Sequence, residues 1–202
     1  MLTKEIRRKE QVMLQPFAER NNAPERGVGL LEMLIVVIVG LVLTAMTAKA
    51  MFSAMDTYRV SSAGHEIASL MQLAKMKATS RDTRYRVAPY GTAYRLERYN
   101  RSSNAWESDP GSGMINLPSG VQFSTTSPIS IASPPPGMGS TVTQASDVIF
   151  NSRAILVDNS GVPVDSRCFY LQGKTLRPVA VGSNLAGALT VYRLGSSGWE
   201  RM

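Results

Sequence analysis

Between Val28 and Ala48 the chain reads VGLLEMLIVVIVGLVLTAMTA, 21 residues in which Glu32 is the only charge. A helix of that length covers about 31 Å, enough to cross the hydrocarbon of a bilayer. Lys4, Arg7, Arg8, Lys9, Arg20 and Arg26 precede this run, and the first basic residue after it is Lys49. The positive-inside tendency therefore predicts a cytoplasmic N-terminus and export of residues 50 to 202. Cys168 is the single cysteine, so an oxidising compartment would add no disulfide within the chain.

Three readings of the apolar run are open. It could be an uncleaved anchor. It could be a secretory signal, because Ala48-Lys49-Ala50 forms an A-x-A site and cleavage there would release a soluble domain starting at Met51. The run is, however, longer than the roughly 7–15 apolar residues of a signal core. The third reading starts from Glu32. An ionised carboxylate in a membrane helix costs about 2.5–3.5 kcal/mol at the centre and less near an end, and such groups normally have a partner. No Lys or Arg stands one turn from Glu32. A cut after Gly27 would create a new α-amino group on Val28. That amine, on a neighbouring parallel helix displaced along the bundle axis, would pair with Glu32 and fix the register between subunits.

Gly27, then Val28-Gly29-Leu30-Leu31-Glu32, then MLIVVIVGLVL, after a charged polar leader, resembles the processing site of type IV pilins and pseudopilins. The resemblance covers about 25 residues. It implies that a prepilin peptidase cuts between Gly27 and Val28, that Val28 is N-methylated, and that Glu32 is the assembly glutamate. It further implies other pilins, the peptidase and an inner-membrane assembly platform as partners. The family's frequent helix-kinking proline is missing, since no proline lies between Pro24 and Pro89.

Helical periodicity continues past the apolar run. Met51, Met55, Tyr58, Ser62, Ile67, Leu70, Met71 and Ala74 recur at spacings of three to five, with Asp56, Arg59, Glu66, Lys75 and Lys77 largely between them. One helix is expected from about residue 29 to 79, buried in lipid or a filament in its first half and packed by one stripe on a globular head in its second. Gly64 is its expected weak point, costing about 1 kcal/mol relative to Ala; two helices jointed there are the alternative.

After Ser80 the period becomes two. Tyr85, Val87 and Pro89, then Gly91, then Tyr94, Leu96 and Arg98 read as a β-hairpin. Further strands are expected at 121–125, 129–132, 148–151, 155–158, 168–172, 177–181 and 189–194, with a turn at Asn159-Ser160-Gly161. Residues 101–120 and 126–146 are rich in Ser, Gly and Pro and read as surface loops. The expected fold class is α+β: a leader at 1–27, a transmembrane half-helix at 28–49, an amphipathic half-helix at 50–80, and a mainly antiparallel β head at 81–202. With the Leu73-to-Ala78 helix end and Val-Ile-Phe at 148–150, this layout is similar to the GspH/FimT group of minor pseudopilins, which implies a single-pass inner-membrane protein with a periplasmic head.

Enzymatic chemistry is not expected. One histidine and one cysteine make no zinc set of the usual kind, and neither a P-loop, a G-x-S-x-G elbow nor a dinucleotide fingerprint is present. No metal or cofactor is expected. His65 reads as a surface or interface residue and Cys168 as a packed strand residue.

Binding is a separate question. The net charge is +7, of which residues 1–27 carry +2, leaving +5 on the remainder. Lys75, Lys77, Arg81, Arg84, Arg86, Arg95, Arg98 and Arg101 face only Asp82 and Glu97 between residues 75 and 101, with Tyr85, Tyr90, Tyr94 and Tyr99 interleaved. Arg84, Arg86, Arg95 and Arg98 are thus candidates for phosphate neutralisation with aromatic stacking on a nucleic acid, and some GspH/FimT-like proteins serve DNA uptake. The alternative is a solvated or partner-facing hairpin, with the tyrosines in the core.

Overall fold

The expected helix forms without a break. In a computed structural model, which describes residues 29–124, 135–137, 147–174 and 178–202, α1 spans Leu30–Ser80. Gly29 starts it, its carbonyl accepting from the amides of Glu32 (2.9 Å) and Met33 (3.2 Å). Leucine, alanine and methionine predominate along it, and no proline interrupts it. The chain divides into two units, residues up to Thr47 and residues from Ala48 onward.

In the first unit, the described part is helix alone, and its apolar side chains lie open: Leu30, Leu34, Ile38 and Leu41 are all more than half exposed.

The second unit is a helix and two antiparallel sheets. In chain order the strands are β1 Tyr85–Tyr90, β2 Ala93–Asn100, β3 Ala105–Ser108, β4 Ile115–Asn116, β5 Gln122–Phe123, β6 Val148–Phe150, β7 Leu156–Val157, β8 Ser166–Gln172, β9 Val179–Asn184, β10 Leu189–Leu194 and β11 Trp199–Arg201. One sheet has the order β3-β2-β1-β6-β7, with β4 also pairing β2; the other has the order β11-β10-β9-β8-β5. The fold is α+β, with a long N-terminal helix packed on a mainly antiparallel β head. The β1–β2 hairpin closes on Tyr90↔Ala93. Gly91 takes the left-handed conformation (φ 63°) that this two-residue turn requires.

Strand alternation sends Tyr85, Val87, Tyr94, Leu96, Val148 and Phe150 from the first sheet, and Phe169, Leu171, Val179, Val181 and Val191 from the second, into one core with Ile67, Met71 and Ala74 of α1. The buried stripe of α1 differs from the expected one at its start. Met51, Met55, Tyr58 and Ser62 are exposed, and Asp56, Val60, Ala63 and Gly64 take the inner face. The reason is close approach. A Cβ on Gly64 would lie 2.8 Å from a methyl of Val179, and one on Gly173 would lie 2.6 Å from Val60 and 2.8 Å from the Asp56 carboxylate. The bulky face of α1 could not come this near the second sheet.

One loop expectation is also corrected. Residues 101–120 contain β3 and β4, and they bury Leu117 and Asp109. Strand β11 occupies the C-terminal residues, where none was expected. The strand expected at 129–132 and most of the loop at 126–146 lie outside the described residues, as does Arg177.

Candidate functional site

Two features stand out, the open apolar helix and the arginine-rich hairpin. On the helix, Glu32 lies in the first turn, where a negative charge complements the unpaired amides by about 0.3–1 kcal/mol. Its carboxylate is exposed and has no ion-pair partner among the described residues. Gly27 and Val28 lie outside the described residues. Thirteen large apolar side chains between Leu30 and Met46 are at least half exposed. Covering what they leave open is worth on the order of 10–20 kcal/mol, at 1.5–3 kcal/mol per fully buried side chain. The cost of Glu32 near one end is several-fold smaller. The helix is long and apolar enough to cross a membrane.

The hairpin separates the four candidate arginines. Register places Arg86 opposite Glu97, so Arg84, Arg86, Arg95, Glu97 and Tyr99 share the face turned away from the core, while Arg98 lies on the other, beside Glu107. On the outer face most of the charge is internally matched. Glu97 is almost fully buried and accepts from Arg86 Nε (2.7 Å), Arg95 Nε (3.1 Å) and the Tyr90 hydroxyl. Burial by itself would raise its carboxyl, but these three donors outweigh burial and hold it below the ordinary glutamate value.

Arg86 reaches on to Asp147 (3.2 Å), which Arg167 of β8 also meets at 3.0 Å. This carboxylate ties the first sheet to the second. The aromatic rings of the motif act as supports. Arg84 lies 3.9 Å over Tyr99 and Arg86 lies 4.4 Å over Trp106, with Tyr99 and Trp106 packed edge to face. Tyr85 and Tyr94 are core residues, as alternation predicts.

A further buried carboxylate sits behind the hairpin. Asp109 accepts from Lys77 at the end of α1 (2.5 Å) and from the Tyr85 hydroxyl (2.9 Å). Burial first, and then Asp109, raise the Tyr85 phenol. Burial also raises Tyr94, with a smaller push from the nearby Glu66 carboxylate. Cys168 is packed with Tyr170, Ala180 and Tyr192, and burial pushes its thiol up to about 12. It is a protonated packing group at neutral pH, whereas His65 is exposed on α1. No group of three or more His, Cys, Asp or Glu is placed to hold a metal among the described residues.

Sequence reasoning missed Asp147 and Asp109. Asp147 is 61 residues from Arg86, and no local pattern connects the two. A weaker signal existed for β3, since Trp106 in a polar loop needs a packing surface.

Compared with known proteins, the sequence matches no family model, and neither a curated protein nor a solved structure matches it. The architecture is consistent with a pilin-like subunit: an apolar N-terminal helix that can anchor in a membrane and an antiparallel β head.

Proposed function

We propose that the chain is a non-enzymatic minor pilin or pseudopilin of the GspH/FimT type. It enters the inner membrane with its N-terminus in the cytoplasm and its head in the periplasm. A prepilin peptidase cuts it after Gly27 and methylates Val28. An assembly platform then draws it, with other pilins, into a type IV pilus or type II secretion pseudopilus. The apolar helix supplies adhesion, and Glu32 pairs with the Val28 amine of a neighbouring subunit to set the axial offset.

The observation that carries this reading is the length of exposed apolar helix bearing in its first turn one carboxylate that has no ion-pair partner among the described residues. A plain anchor accounts for the apolar surface and leaves Glu32 without a partner. Release after Ala50 fits less well, because it would leave Met51, Phe52, Met55 and Tyr58 exposed in water at the new N-terminus. The outer hairpin face, where Arg86 and Arg95 are matched to Glu97 and Asp147 and Arg84 is held by the Asn159 carbonyl, gives DNA less free charge than the sequence suggests.

The test is incorporation. Wild-type chain and Glu32→Gln are expressed with a pilus or pseudopilus assembly system, and the sheared filament fraction is assayed for each. The wild type should enter filaments, and Glu32→Gln should reach the membrane in equal amount but enter at least tenfold less. Equal incorporation would remove the role assigned to Glu32.

A further inference from the structure

Where α1 ends against the hairpin, a different set of arginines surrounds an open cleft of about 330 Å³. Arg81 follows the last helical turn, Arg98 ends the core-side row of β2, and Arg101 begins the β2–β3 turn. Asp82, Thr83 and Ser102 complete the lining that matters here. These three guanidiniums are less neutralised than Arg86 and Arg95 of the outer face. Arg81 makes no side-chain hydrogen bond or ion pair among the described residues. Arg98 meets Glu107 only at 3.7 Å, and that carboxylate is already held by Asn100 (2.6 Å) and Ser103 (3.1 Å). Arg101 meets the Asp82 carboxylate at 3.8 Å. No other ion pair among the described residues of the head is as long as these two.

The rim of the cleft is also fixed in shape. Asp82 holds a left-handed backbone (φ 45°), an unfavourable state for a residue other than glycine. Its carbonyl accepts from Arg101 at 2.6 Å, and the Thr83 hydroxyl donates to the Tyr99 carbonyl at 3.0 Å. The turn is thereby clipped to β2, and Arg101 is oriented at the rim.

We propose that this cleft binds a phosphoryl dianion, as free phosphate or as a phosphate monoester. Among the lining residues three guanidiniums stand against one carboxylate, a net charge of +2 that Glu107 beside Arg98 offsets only from outside the cleft, and this excess complements a dianion. Each guanidinium offers a planar fork of donors suited to phosphate oxygens. Three forks lining one cleft suit a tetrahedral group with three free oxygens better than a planar carboxylate with two or a diester with one charge. The Ser102 hydroxyl adds a neutral donor at the same rim.

The experiment is calorimetric titration of the detergent-solubilised full chain with inorganic phosphate, and in parallel with glycerol 1-phosphate as the monoester, at pH 7.5. Saturable binding is expected, weakened at least fivefold by Arg81→Gln and by Arg98→Gln. Arg153→Gln, an exposed arginine elsewhere on the head, should change affinity less than twofold. Arg81 has no side-chain hydrogen bond or ion pair to lose among the described residues, so its variant decides the matter if Arg98→Gln does not fold. Tighter binding of the monoester than of free phosphate would assign an esterified source, and the reverse a free one; both support the site. The proposal is overturned by an absence of saturable binding, by equal weakening in Arg153→Gln, or by tighter binding of a tetra-aspartate peptide or a short DNA oligonucleotide per charged group.

Discussion

Replacing Gly64 by alanine separates the packed structure from the isolated helix. By helix propensity alone the change should stabilise α1 by about 1 kcal/mol. In the folded head, however, the new methyl would sit 2.8 Å from Val179 Cγ1 and within 3.5 Å of Val191 and Val181, all in the close-packed core. Overpacking of this kind costs about 1–3 kcal/mol, so the net expectation is a loss of roughly 0–2 kcal/mol. Val179→Ala should itself cost about 2 kcal/mol, from two methylene-sized groups at about 0.8 kcal/mol each plus a small cavity. In that background the clash is relieved, and Gly64→Ala should become stabilising by up to about 1 kcal/mol. The coupling of the two changes is then on the order of 1–3 kcal/mol, within the range for residues in contact.

Thermal unfolding of the four detergent-solubilised proteins, followed by tryptophan fluorescence, measures it. At about 2–4 °C per kcal/mol for a chain of this size, Gly64→Ala should lower Tm by up to several degrees in the native background and raise it beside Val179→Ala. A rise in both backgrounds would refute the close approach of α1 to β9.

Three further outcomes follow from the buried charges. Glu97 has a lowered folded pKa, so its contribution to stability is present above the unfolded value of about 4.3 and is lost as pH falls through the folded one. Acid titration should show destabilisation below about pH 4 that is smaller in Glu97→Gln, and equal acid sensitivity in the two proteins would contradict the matched-charge account. Asp109→Ala strands the Tyr85 hydroxyl and the Lys77 ammonium and should cost roughly 2–3 kcal/mol in urea unfolding, with a part recovered in Asp109→Asn. Tyr85 and Tyr94 are raised, so the fold keeps their contribution below the unfolded value near 10 and loses it as pH rises further. Alkaline melting above about pH 10 should be less steep in Tyr94→Phe.

The helix and first hairpin were legible because each follows one unbroken period over many residues. The inner face of α1 before Ile67 was not, because residues 51–60 are apolar on more than one side. Only the distant backbone of Gly173 and the methyls of Val179 decide that Asp56, Val60 and Gly64 turn inward. Strands β3 and β4 escaped notice because they are short and lie in a stretch rich in Ser, Gly and Pro, their pairing imposed by the register of β2. The Arg-Tyr alternation of the hairpin correctly divided core from outer face. It did not show that Asp147 would neutralise Arg86, nor that Arg81, Arg98 and Arg101 would line one cleft.

The reading of the chain as a processed, assembled subunit rests on a cut next to Gly27. Intact-mass and N-terminal mass spectrometry of the chain expressed with and without a prepilin peptidase tests that cut directly. A peptidase-dependent product starting at Val28 and heavier by one methyl group is expected. A chain still carrying Met1 with an active peptidase present, or a product starting at Met51, would contradict that reading.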